Sequence, residues 1–536
     1  MNERKVLTKP VIIVGGGPIG LITALGLTHY GVPVVVLEED SALSLETKAG
    51  TILTRTLEVL NRYGAIEPVL HASVRIDEIG ETDLTSDLPQ QSILTSFITE
   101  ETRFPFVVNI PQHHLEPVLR DALAAAAPNA LQMNNRVTAF TQNDRGVTVD
   151  VDTPDGPKKI EGAYLLGCDG GRSLIRELMG VHVAGTTLEE RYMLIDLEAD
   201  LDIASPRDYP YLSYFGDSAE WMILVRHPHC WRFLFPLRPG VDEPTADELQ
   251  QKVLRFIGDV DTKVIGTNIY SVHHRVASKW QDGRVFLMGD AAHLITPMWA
   301  LGLNTGVLDA SNLPWRLSWV ARGWADEKLL EGYGAEQAPI ALGGSGELAE
   351  NARKRMSRAE GSDDVIDNDN GWAAAMTRTM LGVTLDVDAT GRGGIIQTGE
   401  SDQPVQVGSR APDLPLFDFH KRLYVHELCS DSFVALYFTD ARRRPLIPTD
   451  DATPGLAHYI VSRWDVPENT GLRSVSLFDP SEVVTKKFGL PQDTFVLIRP
   501  DGHIAAIKSW NPHNAVESHA AIDEYLRIVR PKDGKQ

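Results

Sequence analysis

Val11-Ile12-Ile13-Val14-Gly15-Gly16-Gly17-Pro18-Ile19-Gly20 joins an apolar strand to a Gly-x-Gly-x-x-Gly turn and then to a helix that runs to about Tyr30. Each glycine at that spacing has its own task. Gly15 makes the tight turn, Gly17 lets the backbone approach a pyrophosphate, and Gly20 lets the helix lie against the strand. The helix, which starts at Pro18, then points its unpaired N–H groups at the phosphates. After Gly31 a second apolar strand, Val34 to Leu37, ends at Glu38, where a carboxylate can accept hydrogen bonds from a ribose. A glycine fingerprint alone is a weak signal. With the strand before it, the helix after it and the acid at the right distance, it reads as a dinucleotide cradle.

Two segments far downstream repeat the strand–turn–helix pattern. Tyr164-Leu165-Leu166-Gly167-Cys168-Asp169-Gly170-Gly171-Arg172-Ser173 places an Asp-Gly turn between a strand and a helix. Residues 281–313 give a buried strand, a Gly289-Asp290 turn, a loop through Pro297 and a helix starting near Gly302. Three such junctions imply a ligand longer than one nucleotide.

Taken together, the glycine fingerprint, Asp169-Gly170, and Gly289-Asp290-Ala291-Ala292-His293 with Pro297 and Gly302-Leu303-Asn304 match a known family in order and spacing. The chain resembles the single-component FAD-dependent aromatic hydroxylases of the para-hydroxybenzoate hydroxylase and phenol hydroxylase type, over most of its length. The resemblance implies an α/β fold: a Rossmann-like FAD-binding domain, an inserted, mainly antiparallel β-sheet substrate domain, and a C-terminal thioredoxin-like α/β domain. It also implies FAD as cofactor and NADH or NADPH as cosubstrate. Glu38 would hold the adenosine ribose, Lys48 would stand near the cofactor where the family often has arginine, and Gln112 would approach the flavin. Asp169 would touch both flavin and nicotinamide nucleotide, Asp290 the ribityl chain, and the backbone from Gly302 through Leu303 to Asn304 the isoalloxazine.

The mechanism so implied is reduction of the flavin by a nicotinamide nucleotide, addition of O2 at the flavin C4a atom, and transfer of one oxygen from that hydroperoxide to an electron-rich ring. Water must be excluded meanwhile. A phenol reacts better as phenolate, so a group that takes or stabilises its proton is needed. His227, His229, Tyr211, Tyr214 and Arg226, on the expected substrate sheet, are the candidates. His293 reads as a structural hydrogen-bonder, and no metal site is expected because no further ligands stand at suitable spacing.

The chain departs from the family pattern twice. After Pro297, where relatives carry glycine, it has Met298-Trp299-Ala300-Leu301, which puts an indole where flavin and substrate should meet. Trp299 is read as a pocket wall that selects the substrate, with a brake on flavin movement as the alternative. Second, Glu336-Gln337 stands where Glu-Arg is usual, so a changed salt bridge is expected there. The expected substrate is an aromatic small molecule: an apolar, aromatic-lined pocket suits phenols, substituted catechols, nitroaromatics or larger polyketide rings alike, with a one-ring phenol as the first choice. Arg226 and Arg232 could bind a carboxylate on it. Two readings of another class stay open: a flavin-dependent halogenase, although the Trp-x-Trp-x-Ile-Pro segment is absent, and an FAD-binding carrier or sensor.

At 536 residues the chain is long enough for several domains. The expected division is 1–74, 109–178 and 276–345 for FAD, 75–108 and 179–275 for substrate, 346–406 as a helical connector, and 407–536 as the thioredoxin-like unit. Glu220 to Val225 and Cys230 to Pro236 should be neighbouring antiparallel strands, and Arg499-Pro500-Asp501-Gly502 a hairpin turn. A redox thioredoxin needs a Cys-x-x-Cys pair, and the last block has only Cys429, so it is assigned to packing or to a homodimer interface. The formal charge of −22 argues against nucleic acid or an anionic membrane as partner. No signal pattern and no apolar run long enough to span a bilayer is seen, and a cytoplasmic location is expected.

Overall fold

The computed structural model describes residues 7, 9–44, 50–84, 91–201, 209–217, 220–357, 369–385, 405–418, 421–439, 454–463, 475–491 and 493–511. Val11–Val14 pairs in parallel with Val34–Leu37 on one side and with Tyr164–Gly167 on the other. The sheet continues in parallel to Val285–Leu287 and Leu131–Gln132, and Gln281–Asp282 closes one edge antiparallel. A parallel sheet must be covered on its faces by crossover helices. Pro18–His29 is therefore buried along nearly its whole length and packs on the long helix Leu301–Ala321. Among the described residues no helix is long and apolar enough to cross a membrane.

Among the described residues the second sheet has eight strands, in the order His293–Leu294, Thr262–Ala277, Val183–Ala199, Trp231–Leu237, Met222–Arg226, Leu212–Gly216, Glu78–Asp83 and Gln91–Leu94. Met222–Arg226 and Trp231–Leu237 form the antiparallel neighbours anticipated from their alternation, with Ile223 opposite Leu234. Side chains two residues apart share a face. One face, with Ile195, Leu224, Phe233 and Phe235, buries itself against the helix Ala246–Ile257, which a Thr245–Glu248 capping box starts. The other, with Tyr192, Leu194, Tyr214, Ile223 and Leu234, packs in one apolar cluster with Met298 and Trp299.

Two expected boundaries change. Val74–Ile76 and Val107–Asn109 pair with each other, and Val107–Asn109 also pairs with Thr51–Ile52 in a separate three-stranded sheet. The first excursion into the substrate sheet is therefore confined to Glu78–Asp83 and Gln91–Leu94, because Val107–Asn109 is the centre of that small sheet. The stretch expected as a helical connector is packed where it is described. From Ser345–Met356 it buries Leu348, Ala349, Ala352 and Met356, and from Asp369–Leu381 Met376 and Met380, in the same cluster as Trp299. Arg355 fixes it to the sheet edge by a two-pronged bond to Glu81, at 2.6 and 3.0 Å. Its polar composition reflects helices with one apolar stripe.

Among the described residues the C-terminal unit holds a seven-stranded mixed sheet. Phe433–Phe438, Leu456–Ser462 and Val475–Phe478 run parallel, and Thr494–Ile498 and Ile504–Ser509 follow as an antiparallel hairpin around the Arg499-Pro500-Asp501-Gly502 turn. This is the α/β arrangement expected of a thioredoxin-like unit. Cys429 is fully buried, and burial pushes its thiol up to about 12, which keeps it unreactive. The hairpin turn is driven into the FAD-binding half. Arg499 bonds Glu336 at 2.8 and 2.9 Å and also pairs with Asp501, Trp315 Nε1 donates to Asp501 at 3.1 Å, and Arg55 donates to the Asp501 carbonyl at 2.7 Å. Arg316 adds a second guanidinium to Glu336 at 2.7 Å. Glu336 thus takes both of its guanidinium partners from outside its own helix.

Candidate functional site

Four neighbouring parallel strands end on one edge of the first sheet, and the residues singled out in the sequence follow them. Glu38 comes after Val34–Leu37, Gly15 after Val11–Val14, Asp169 after Tyr164–Gly167, and Gly289-Asp290 after Val285–Leu287. Ligands bind open α/β sheets in the crevice at that carboxyl edge. The turns are stitched to one another: Gly15 N–H donates to Leu37 O at 2.9 Å, Cys168 N–H to Val14 O at 2.8 Å and Met288 N–H to Gly167 O at 2.9 Å. Arg176 bridges the second and third turns, donating to Gly171 O at 2.7 Å and Ala291 O at 3.0 Å.

This edge fits an extended dinucleotide. At φ +106° a Cβ on Gly15 would stand 2.4 Å from Cys168 O, whereas a Cβ on Gly17 would meet nothing within 4 Å, so the turn is tight behind and open in front. Gly17 is the N-cap, Pro18 the first residue and Gly20 in the first turn of Pro18–His29, with the free N–H groups of a helix start facing the opening. Glu38 lies across the turn and accepts from Gly16 N–H at 2.6 Å and Asp40 N–H at 3.0 Å.

The other expected cofactor residues are placed as follows. Asp169 caps Leu174–Leu178, accepting from Ser173 Oγ at 2.5 Å and Ile175 N–H at 3.0 Å, and burial raises its carboxyl. Asp290 is exposed in the third turn, which Asp309 holds by accepting from Gly289 N–H at 2.8 Å and pairing with His293 at 2.9 Å. His293 also stacks on Trp280, consistent with a structural role. Gln112 opens Gln112–Ala126 and its amide donates to Glu116 at 2.8 Å. Lys48 lies outside the described residues. Pro297 precedes the turn Met298–Ala300, and Gly302 and Leu303 occupy the first turn of Leu301–Ala321. The Asn304 side chain clamps that helix to the opposite wall. It accepts from Leu53 N–H at 2.9 Å and Thr56 Oγ1 at 2.7 Å, and donates to Thr51 O at 3.0 Å and Ala300 O at 2.7 Å.

Trp299 and Ala300 have φ of +54° and +58°. Two successive side-chain-bearing residues in the left-handed region cost about 1–2 kcal/mol each. The strained turn persists because the indole is buried against the substrate sheet. Ala300→Gly, which keeps the indole and removes the strain at one position, is expected to stabilise the protein by about 1 kcal/mol in denaturant unfolding. A loss of stability would show that the turn is not strained.

The five proton-handling candidates separate by the two-residue alternation of the strands. Tyr211 and Arg226 lie on the face turned away from Trp299: Tyr211 meets Trp231 at 5.7 Å, and the Arg226 guanidinium lies over the same indole at 5.2 Å. His229 is exposed in the hairpin loop, beside His114. Tyr211 and Arg226 thus lie on the sheet face opposite Trp299, and His229 at the rim of that sheet. Arg232 is also committed, bonded to Asp196 at 2.8 and 2.9 Å. Tyr214 and His227 remain on the Trp299 side. Burial, then Glu81, raises the Tyr214 phenol, so it stays protonated.

His227 is 0% exposed, and neither ring nitrogen has a hydrogen-bond partner. It abuts Gly50, where a Cβ would stand 2.6 Å from Nε2, and Gly50 leads into the Thr51–Ile52 strand that Asn304 clamps. Burial first, then Arg232, His113 and His114, holds the imidazole well below the usual range, so it is neutral at pH 7. The alternation of residues 221–227 alone could have separated His227 from Arg226.

Comparison with known proteins agrees with this geometry. A family model described as an FAD binding domain matches residues 8–343, more than half of the chain. The 12-dehydrotetracycline 5-monooxygenase/anhydrotetracycline 6-monooxygenase of Streptomyces rimosus subsp. rimosus is 30% identical over 523 residues, covering 92% of this chain and 94% of that protein. The para-nitrophenol 4-monooxygenase of Pseudomonas sp. is 29% identical over 62% of this chain and 83% of its own length. The structure of the flavin-dependent monooxygenase PieE superposes with a TM-score of 0.79 at 23% identity over 97% of this chain and 99% of that one, which speaks to the fold. Dinucleotide edge, strained Pro297 turn and antiparallel roof thus occur in a chain that belongs to the FAD-dependent aromatic hydroxylases and is a flavoprotein monooxygenase.

Proposed function

We propose that the protein uses NADH or NADPH and O2 to hydroxylate a phenolic ring, with His227 as the group that receives the phenol proton. The observation that carries this reading is a neutral imidazole, sealed from water and without a hydrogen-bond partner, between Gly50 and the end of the substrate strand Met222–Arg226. FAD, when bound along the carboxyl edge, supplies the redox chemistry that makes O2 reactive toward the ring. The chain's own groups do the rest. The cradle of Gly15, Gly17, Pro18 and Gly20 and the carboxylate of Glu38 hold the adenosine half. Asp169, Asp290 and the helix start at Gly302, Leu303 and Asn304 are suited to the flavin half.

Trp299, Met298 and the apolar sheet face keep water from the reacting ring and contribute binding area. A phenol hydroxyl beside His227 Nε2 can pass its proton to the ring nitrogen, which raises electron density on the aromatic carbons.

The test is oxidation of NADH and NADPH by the FAD-loaded protein against a panel of phenols, with peroxide and ring-hydroxylated product quantified together. Product close to one per nicotinamide oxidised supports the reading, and ligand-stimulated oxidation that yields only peroxide sinks it. In the same assay Trp299→Ala is expected to raise KM about tenfold, as a wall contributing binding area would. An unchanged KM with a faster flavin reduction step would assign Trp299 to restraining the flavin instead.

A further inference from the structure

Two more polar groups on the Trp299 side of the sheet have no partner. The Tyr192 hydroxyl and Trp221 Nε1–H are buried, the residues being 0% and 2% exposed, and neither atom makes a hydrogen bond. Their rings touch edge to face, with centroids 4.9 Å apart. A buried polar group left unsatisfied costs about 1–3 kcal/mol, and two side by side are rarely left so in a core. Indole N–H can only donate, and a phenol hydroxyl can donate. The burial of Tyr192, then Glu190, raises its pKa, so it keeps the proton it would donate. Together they suit one acceptor oxygen carried by a ligand.

Their position in the sheet says how far that oxygen lies from the proposed proton acceptor. His227 follows the strand Met222–Arg226 at one end, and Trp221 precedes it at the other. Six residues of extended chain span about 20 Å between backbone positions. The face between them carries Ile223 and Val225 on that strand, Leu234 and Leu194 on its neighbours and, opposite Val225, the buried Arg232–Asp196 pair. A single ring held at His227 leaves the far donors unmet. A longer fused aromatic reaches toward both.

Resting on the hydroxylase reading above, we propose that Tyr192 and Trp221 form a distal oxygen-binding subsite that selects fused polycyclic phenols bearing a second oxygen on a ring remote from the one hydroxylated. A site built to hydrogen-bond a ligand oxygen discriminates strongly against the analogue lacking it, because its own buried donors are then stranded.

The test compares two ligands that differ only in that oxygen, 2,6-dihydroxyanthraquinone and 2-hydroxyanthraquinone. Both are titrated calorimetrically into the FAD-loaded protein without NADH or NADPH. The wild type is expected to bind the dihydroxy ligand about tenfold more tightly, and Tyr192→Phe and Trp221→Phe each to shrink that ratio to about threefold or less. Equal affinities in the wild type, or a tenfold preference that survives in Tyr192→Phe, overturn the proposal. Tyr192→Phe removes one hydroxyl atom from a packed ring, so it decides the matter even if Trp221→Phe does not fold. Because binding is read without turnover, failure to hydroxylate either ligand counts against the hydroxylase reading and leaves the subsite result standing.

Discussion

His227→Gln is expected to lower kcat by about 10²- to 10⁴-fold, while FAD content and the rate of flavin reduction by NADH or NADPH stay near wild type. Glutamine keeps a polar side chain of comparable reach but has no basic nitrogen. The effect should therefore fall on the oxygen-transfer step, where a phenolate matters, and should shrink for substrates whose phenol is already ionised at the assay pH. The pH dependence carries the sign. The folded imidazole titrates well below its usual 6.5, so it stays unprotonated as pH falls through 6.5, and kcat should show no inflection there from this residue. An inflection near 6.5 that disappears in His227→Gln would mean that the imidazole is solvated. A His227→Gln variant with kcat within threefold of wild type, at unchanged FAD content, would remove His227 from the chemistry.

Arg499→Ala should destabilise the protein by about 3–5 kcal/mol, the cost of breaking a buried ion pair from one side. Arg499, Glu336 and Asp501 are all fully buried, and Arg316 completes the group. The variant leaves the Asp501 carboxylate without its guanidinium beneath Trp315, so the loss should appear as a lower midpoint in denaturant unfolding. A loss below about 1 kcal/mol would mean that the C-terminal sheet is only loosely docked.

The same interface sets an acid limit. Burial pushes the Glu336 carboxyl up, but Arg316 and Arg499 outweigh it and bring it down to about 2 from the usual 4.5. Burial takes His426 down to about 4 from 6.5, against the pull of Asp413 and Glu58. In both windows the unfolded chain binds more protons than the folded one. The stability these groups contribute is complete above pH 6.5. It declines between 6.5 and 4 as His426 charges in the unfolded state, and between 4.5 and 2 as Glu336 is protonated there. A flat unfolding midpoint between pH 7 and 4 would contradict this. Glu58, Asp413 and His426 offer metal-ligand atoms close together, but Glu58 already receives Arg410 at 2.8 and 2.5 Å, so the group reads as part of the docking network.

Local chemistry makes the dinucleotide edge readable in the chain. A glycine turn, an acid after the next strand and two further Asp-containing turns each declare themselves within a few residues, and the parallel pairing of Val11–Val14 with Tyr164–Gly167 brings them to one edge. The hairpin of Met222–Arg226 and Trp231–Leu237 is readable for the same reason. The helices Ser345–Met356 and Asp369–Leu381 are legible only as a helical stretch, because their apolar stripes are short and the sheet they cover is built from residues far earlier in the chain. The strain at Trp299 and Ala300 has a sequence signal only in the glycine that is missing. The partners of Glu336 cannot be read from the chain at all, since one of them, Arg499, arrives from a hairpin turn in the last sheet. Tyr211 and Arg226 have side chains suited to proton handling, but the parity of their positions along the strands turns them to the opposite face.

Monooxygenation requires that one atom of O2 enter the aromatic ring. Single-turnover reaction of the FAD-loaded, NADH- or NADPH-reduced protein with ¹⁸O2 and a phenolic substrate in unlabelled water, followed by mass spectrometry of the product, measures this directly. The expected result is a hydroxylated product carrying one ¹⁸O atom. Product whose new oxygen comes from water, or label recovered only as hydrogen peroxide with the phenol unchanged, would contradict it.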